Sequence, residues 1–503
     1  MELFRDLYFG FSVAFLPINL FSCFLGVSLG TLVGVLPGLG PAATIALLLP
    51  ITYKMQPETA IIMLAGIYYG AQYGGSITSI LLNIPGEAST AITCLDGYQM
   101  ARQGKAGRAL GISAFGSFIG GTISIVGLMI LGPFLAIFAL RLGPPEYLGL
   151  TFLAIVILTF LSHESMVKSL ISSAAGFFLG TIGIDIVYGT QRFTFGTLTL
   201  MDGVGLVPVA MGLFGIAEVL TNLEQKHNRD IYKAEIKGLL PNRKDWVESI
   251  WPIIRGSVIG FFLGIIPGGG AIMASFTSYA VEKRLSRNPK SFGQGAIAGV
   301  AGPETANNAA AGGAMIPLLC LGIPANVIMA LFLGALLLHG IKPSVFLVNE
   351  HPQIFWGLIA SMYVGNVFLL ILNLPMIGIW VRILKISYSI LFPLILLFCL
   401  IGVYTINSNV YEVLIMLIFG ALGYLMRKTG FDPTSLLFAM IIGPIMETAL
   451  RQCVLESRGD LSILFTRPIS AVIFSMGFLL LLLLLVPRLR RKRETFTKEL
   501  SDE

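Results

Sequence analysis

Glu304, Asn307 and Asn308, in the run Gly302-Pro303-Glu304-Thr305-Ala306-Asn307-Asn308, and Ser76, Thr78, Ser79 and Asn83, ahead of Pro85-Gly86-Glu87, are the residues whose types and setting offer chemistry. They put hydroxyl and amide oxygens, amide N–H groups and a carboxylate into otherwise apolar segments. Oxygen-rich surroundings suit Na⁺, a hard cation, and helix N-termini present N–H groups to a carboxylate anion. A charge at the bilayer centre costs about 2.5–3.5 kcal/mol or more, which makes Glu304 the leading candidate. Glu87 reads equally well as a carboxylate at a helix start. Asp185, Glu218 and Glu447 read as helix-end or paired groups. Ser, Thr and Asn also hydrogen-bond between membrane helices, and for Ser79 that role is the favoured one.

The elements that hold these residues must be membrane helices. The chain of 503 residues is 55% hydrophobic and only 12% charged, with a mean hydropathy of +0.84, whereas a soluble protein is about 25% charged. At ~20 apolar residues per crossing there is room for about 10–12 transmembrane helices and for no sizeable soluble domain. The fold class expected is therefore an all-α polytopic membrane protein. The net charge of +6 sits mostly in loops and the tail, which suits membrane orientation and argues against nucleic-acid binding. Five scattered cysteines, with no C-x-x-C pair, read as packing thiols without a disulfide framework or a metal site. The start Met1-Glu2-Leu3-Phe4-Arg5-Asp6 lacks the basic region and cleavage site of a signal peptide.

Two breaks organise the chain. Gly34-Val35-Leu36-Pro37-Gly38-Leu39-Gly40 is written again, 230 residues later, as Gly264-Ile265-Ile266-Pro267-Gly268-Gly269-Gly270, and Gly26/Gly30 meet Gly256/Gly260 in the same register. Proline removes a backbone donor and glycine permits positive φ, so a helix arriving at Pro37 or Pro267 stops there with bare carbonyls. In a membrane such groups survive only where protein, ions or a water-filled cavity satisfies them. For Pro37, Gly38, Gly40, Pro267, Gly268 and Gly270 the functional reading is favoured; for Gly26/Gly30 and Gly256/Gly260, close helix packing. Residues 22–36 and 41–53 are each too short to cross comfortably and read as a hairpin that enters and leaves by one side, as do 251–282. Farther on, Gly74-Gly75 before Ile84-Pro85 matches Gly312-Gly313 before Ile323-Pro324, with equivalence fixed only to within one residue.

Loop charges give the two copies opposite orientations. The turn after the first hairpin carries Lys54, its partner Lys283, Arg284, Arg287 and Lys290; the next loop reverses the bias, with Arg102, Lys105 and Arg108 against Lys342. If basic loops face the cytoplasm, the repeats are inverted in topology, each with a re-entrant, broken-helix hairpin. Helices near 110–131, 145–162, 168–188 and 204–221 return the chain to the basic 222–250 segment, with Lys226, Arg229, Lys233, Lys237, Arg243 and Lys244. Helices near 353–377, 386–405, 410–426, 431–450 and 466–487 put Arg382/Lys385, Arg427/Lys428 and the 488–493 cluster on that same face. The division expected is an oblique or interfacial first helix (1–21), repeat 1 (22–221), a cytoplasmic loop (222–250), repeat 2 (251–487) and a cytoplasmic tail (488–503).

No catalytic constellation appears. The histidines His163, His227, His339 and His351 are far apart, and G-x-S-x-G, H-E-x-x-H and P-loop patterns are lacking, so an enzyme or an ATP-driven pump is not expected. The residues favour a secondary transporter; a non-transporting scaffold or receptor subunit is the alternative.

The stretches GVLPGLGPAATIALLLP (34–50), IYYGAQYGGSITSILLNIPGEAST (67–90), DGYQMARQGKAG (96–107), GPPEY (143–147), RFTFG (192–196), LVPVAMGLFGIAEVL (206–220) and PETANNAAAGGAMIPLLCLGIP (303–324) resemble the large membrane subunit of the tripartite tricarboxylate transporter (TctA) family. The resemblance covers nearly the whole chain. It implies a bacterial inner-membrane permease that works with a small four-helix membrane subunit and a periplasmic solute-binding protein. Its cargo would be tricarboxylates such as citrate or related carboxylates, imported by symport with a cation, typically Na⁺, and with no other cofactor. A homodimer would fit a moving unit braced by a scaffold. The family's motifs fall on Pro37 to Gly40, on Ser76 to Glu87 (with Thr78, Asn83, Pro85 and Gly86), on Pro267 to Gly270, and on Glu304 to Gly313 (with Asn307, Asn308, Gly312 and Gly313). Thr305 stands where such proteins often have Ser, so a hydroxyl is kept.

Overall fold

A computed structural model describes residues 2–36, 40–161, 165–185, 188–224, 236, 238–266, 268, 270–383 and 388–485. Of the sequence expectations, Pro37, Gly38, Pro267, His163, His227, the bases Lys226 to Lys237, Lys385 and the tail 488–503 lie outside the described residues.

The chain opens with α1 (Glu2–Ala14) and α2 (Pro17–Val35). The first helix expected over 1–21 is divided at Pro17, which sits at the start of α2, where a missing N–H costs nothing. After the first break come α3 (Pro41–Thr52) and α4 (Pro57–Leu82), each again begun by a proline. A 3₁₀ turn (Ala88–Thr90) and two wide π-helical turns (Cys94–Tyr98 and Ala101–Lys105) lead into α5 (Ala106–Ala139). Then follow α6 (Pro144–Leu161) and α7 (Met166–Gly180). Beyond α7 the expected helix gives way to a two-stranded antiparallel ribbon, β1 (Gly183–Ile184) on β2 (Gln191–Arg192), where Gly183 and Gly189 take positive φ. A helical run of α8 (Leu206–Ala210), the π turn Met211–Ile216 and α9 (Ala217–Glu224) closes this half.

The second half runs through α10 (Arg243–Ile265), α11 (Gly270–Leu285), α12 (Ala298–Leu321), α13 (Val327–Leu338), α14 (Leu347–Glu350) and α15 (Pro352–Asn373). It ends in α16 (Ile377–Ile383), α17 (Tyr388–Asn407), α18 (Val410–Thr429), α19 (Pro433–Glu456), α20 (Ile463–Thr466) and α21 (Pro468–Leu485). Seven helical stretches among the described residues are long and apolar enough to cross a membrane, and shorter apolar helices accompany them. The protein is an all-α, multi-pass membrane protein.

Almost every residue of α4 and α12 is buried, so these two helices form the centre. The contacts around them recur. A Cβ built on Gly26, Gly30 or Gly34 of α2 would stand 2.3, 2.4 and 2.2 Å from the carbonyl oxygens of Met63, Ile67 and Ala71 in α4. On Gly256, Gly260 or Gly264 of α10 it would stand 2.5, 2.2 and 2.3 Å from those of Gly302, Ala306 and Ala310 in α12. Both pairs run side by side in the same direction, backbone against backbone, which only glycine allows. Across the halves, α5 packs on α10 and α12, while α15 packs on α2 and α4.

The recurrent contacts fix the register that the sequence leaves open. Counterparts in α4 and α12 lie 239 residues apart, so Gly74, against Thr31 and Gly34, corresponds to Gly313, against Phe261 and Gly264. Gly75 then faces Ala314 in the alignment, and the Gly74-Gly75 to Gly312-Gly313 pairing is off by one. Asn83 and Gly322, the left-handed C-caps with φ of 56° and 68°, fall into line at the same spacing.

Loops gather at the ends of the bundle as charge pairs. Arg108 pairs with Asp245, and Gln103 donates to the Gln294 carbonyl at 2.8 Å. Buried Asp96 accepts from the backbone N–H groups of Gly293, Gly295 and Ala296 at 2.9, 2.8 and 2.7 Å and from the Tyr279 hydroxyl at 2.9 Å. The basic segments 102–108, 243–245 and 283–296 therefore lie together. Elsewhere Arg467 pairs with Glu146 and Glu456, Arg192 and Arg451 with Asp185 and Glu447, and Arg427 with Glu218.

Candidate functional site

Glu304 lies fully buried in α12, in the turn after Pro303. One of its carboxylate oxygens accepts from the Ser76 hydroxyl of α4, the other from the Thr93 hydroxyl. Its backbone carbonyl accepts from Asn308 Nδ2 at 3.1 Å and from Ser117 Oγ of α5 at 3.4 Å. Three helices and the segment after α4 thus converge on one acid, and no Lys, Arg or His pairs with it among the described residues. A small cavity lined by Tyr73, Ser76, Ile77, Leu110, Ser113, Ala114 and Asn373 lies on the Ser76 side.

The segment 87–93 carries the rest of the polar seam. Ser79 Oγ donates to Thr90 Oγ1 at 3.0 Å, and Thr90 Oγ1 donates to the Glu87 carbonyl at 2.9 Å, folding the segment onto α4. Ser89 Oγ donates to Gln72 Oε1 at 3.1 Å, while Gln72 Nε2 and Glu87 Oε2 are buried without a hydrogen-bond partner. Asn326, the N-cap of α13, accepts from Met329 N at 2.9 Å and turns its Nδ2 toward the Tyr68 hydroxyl at 3.4 Å. Asn307 is fully buried one turn beyond Glu304, with neither amide atom partnered. Spacings of three and four residues set Gln72 and Ser76 on one face of α4, and Glu304 with Asn307 and Asn308 on one face of α12. Tyr73 donates to Asn366 Oδ1 at 2.8 Å, and Asn366 Nδ2 donates to the Phe118 carbonyl at 2.8 Å, which ties α4, α15 and α5 together behind the seam.

Protein groups meet the described part of each break. At the first, Thr78 Oγ1 donates to the Gly34 carbonyl at 3.1 Å, and Gly86 fits against that same carbonyl and Gly75 with no room for a side chain. Gly40 caps α3, its carbonyl accepting from Thr44 N and Thr44 Oγ1 at 3.2 and 3.1 Å. At the second, Gly268 (φ 80°) donates its N–H to the Ala325 carbonyl at 2.7 Å, and Gly270 (φ 51°) opens α11 beside Asn326.

The structure thus brings together Ser76, Glu304 and Asn308 directly, with Asn307 on the same face, and groups Thr78 and Gly86 at the first break. It does not bring Asn83 or Pro85 in: both are exposed, and Asn83 serves as a left-handed cap. Gly312 and Gly313 are packing positions against Ser124 of α5 and Phe261 of α10. Sequence reasoning missed Thr93, Ser89, Gln72 and Tyr68 as members of the seam. For Gln72 a signal existed, its position one turn ahead of Ser76; for Thr93, hundreds of residues from Glu304 in the chain, none did.

A buried, hydroxyl-bound carboxylate at the centre of a multi-pass bundle defines a class of membrane protein with a polar site enclosed among its helices. Residues 20–438 match the model of the tripartite tricarboxylate transporter TctA family. An uncharacterised 52.8 kDa protein from the TAR-I ttuC′ 3′ region of Agrobacterium vitis is 49% identical over 98% of each chain. A second Agrobacterium vitis protein, from the TAR-II ttuC′ 3′ region, is 50% identical over 47% of this chain and 97% of its own length. An uncharacterised protein of Methanocaldococcus jannaschii is 26% identical over 56% of this chain and 66% of its own. No solved structure matches. The chain belongs to the tripartite tricarboxylate transporter TctA family.

Proposed function

We propose that the protein is the large permease subunit of a binding-protein-dependent secondary transporter that imports tricarboxylates or related carboxylates, driven by a cation gradient, with Na⁺ as the coupling ion. It works in the bacterial inner membrane with a small four-helix subunit and a periplasmic solute-binding protein, and its C-terminus is cytoplasmic. The observation that carries this reading is the clasp of Glu304 by Ser76 and Thr93 between the two broken-helix copies, because a charge kept at membrane depth without a basic partner marks an ion pathway.

Inversion of the repeats is supported by the order of contacts. Tyr68 meets Asn326, just beyond the end of α12, whereas Ser76, further along α4, meets Glu304 near the start of α12, an order that fits opposite senses for the two helices. The start of α2 also lies beside the start of α4, Thr59 donating to Asn19 at 2.5 Å, as a hairpin entering and leaving by one side requires. Alternating access then follows from one repeat unit moving against the rest around a site at its seam. With all three components in proteoliposomes, an inward Na⁺ gradient should drive accumulation of labelled carboxylate. Uptake indifferent to both Na⁺ and H⁺ gradients would refute the mechanism, and binding-protein capture without any uptake would make the chain a scaffold.

A further inference from the structure

We propose that Glu87 and Glu304 together receive the coupling cation, a hard monovalent ion held through oxygen, and that this ion is seated before the anionic substrate binds. The inference rests on the transport reading above and assigns its ion step to named groups.

Most other buried acids among the described residues are neutralised or capped by the protein itself; Glu412, in the first turn of α18, accepts from Asn407 through one oxygen and leaves the other unpartnered. Asp245 has Arg108, Glu282 has Arg255, Glu146 has Arg467, Asp185 has Arg192 and Arg451, and Asp96 has three backbone N–H groups. Glu304 has only hydroxyls, and Glu87 leaves Oε2 with no partner at all. The two acids meet the same stretch of α4: a Cβ built on Gly75 would stand 3.3 Å from Glu87 N, and the next residue, Ser76, holds the Glu304 carboxylate. A pair of like charges so placed is unfavourable in a low dielectric unless a cation stands between them.

The surroundings supply what such an ion needs. Ser76 Oγ and Thr93 Oγ1 already touch Glu304, and rotating either hydroxyl turns a lone pair toward an ion. The second, independent mark of a ligand is Asn307, buried with both amide atoms unpartnered one turn from Glu304. All these donors are oxygen, which selects a hard cation over a soft one. Gln72 Nε2 and Asn307 Nδ2, unpartnered donors on the facing helices, suit a carboxylate. An anion brought to them while Glu87 and Glu304 stand uncompensated is repelled; with the cation in place it is attracted. Coupling of this kind is reciprocal, each ligand raising the affinity for the other. Because the acids come from different halves of the chain, the ion also bridges the halves.

The test uses the purified full-length chain in lipid nanodiscs without substrate, with Na⁺ exchanged for choline at constant ionic strength and thermal unfolding as the readout. A saturable rise in melting temperature with Na⁺ is expected. Glu304→Gln and, separately, the less buried Glu87→Gln should each weaken the apparent Na⁺ affinity ~10–100-fold. Neither should lower the melting temperature in choline, since each removes an unpaired charge, whereas a purely structural carboxylate would melt earlier. Equal Na⁺ stabilisation in all three proteins, or stabilisation by acid alone, overturns the assignment. Labelled carboxylate uptake in three-component vesicles separates the two readings: Na⁺-driven uptake with unaltered Na⁺ affinity in both variants refutes the cation site alone, and Na⁺ binding without any uptake refutes the transport reading alone.

Discussion

Ser76 donates its hydroxyl to the Glu304 carboxylate although the two are not counterparts in the duplication. In the register set by the glycine contacts, Glu304 corresponds to Ala65 and Ser76 to Met315. The backbone is repeated, and the chemistry is not: each copy lends different side chains to one shared seam. A hydrogen bond to a charged group contributes about 1.5–3 kcal/mol. Ser76→Ala should therefore slow carboxylate uptake by about 10- to 100-fold, and Ser76→Thr, which keeps a hydroxyl, should retain most of it. Equal rates for wild type and Ser76→Ala would remove the serine from the site.

The close approach of α2 to α4 and of α10 to α12 depends on bare backbone. Gly30→Ala and Gly260→Ala each force a methyl to within 2.4 and 2.2 Å of a carbonyl oxygen on a buried helix. Overpacking of this kind costs about 1–3 kcal/mol, and more where the neighbour is backbone. Both variants should melt earlier in detergent than wild type, whereas Gly40→Ala, which meets nothing within 4 Å at φ −78°, should not.

Asn83 separates a cap from a ligand. Its φ of 56° is a conformation glycine adopts without strain and β-branched residues resist. Asn83→Gly should leave stability and uptake unchanged, and Asn83→Val should lower stability by about 1–2 kcal/mol. Lost uptake in a well-folded Asn83→Gly protein would restore the amide to the site.

These residues also mark what the sequence made legible. The breaks could be read because proline and glycine act locally: a missing donor and a permitted positive φ are properties of single residues. Helix positions followed from apolar length, so the expected spans near 353–377, 410–426 and 431–450 lie close to α15, α18 and α19. Pairings such as Thr93 with Glu304 or Tyr73 with Asn366 were hidden, because a hydroxyl in an apolar helix looks the same whether it bonds its own i−4 carbonyl or a distant acid. Asn83 shows the converse: a polar residue beside a break can also serve the backbone, here as the left-handed cap of α4. The ribbon β1–β2 escaped because two-residue strands carry no periodic signal.

Asp96 ties the loop before α12 to the segment after α4, its carboxylate collecting backbone N–H groups of Gly293, Gly295 and Ala296. Asp96→Ala leaves those donors without their acceptor and should loosen residues 286–297. Trypsin should then cut faster at the exposed Arg287 and Lys290 than in wild type. An unchanged cleavage rate would show that the loop is held by other contacts.

The claim beneath all of this is that two copies of one broken-helix unit thread the membrane in opposite senses. Single cysteines at Lys54→Cys and Arg287→Cys, in a chain without its native thiols, can be probed with a membrane-impermeant maleimide applied to right-side-out and inverted vesicles. Labelling of position 54 from the periplasmic side and of 287 from the cytoplasmic side is the predicted result. Labelling of both from one side would contradict it.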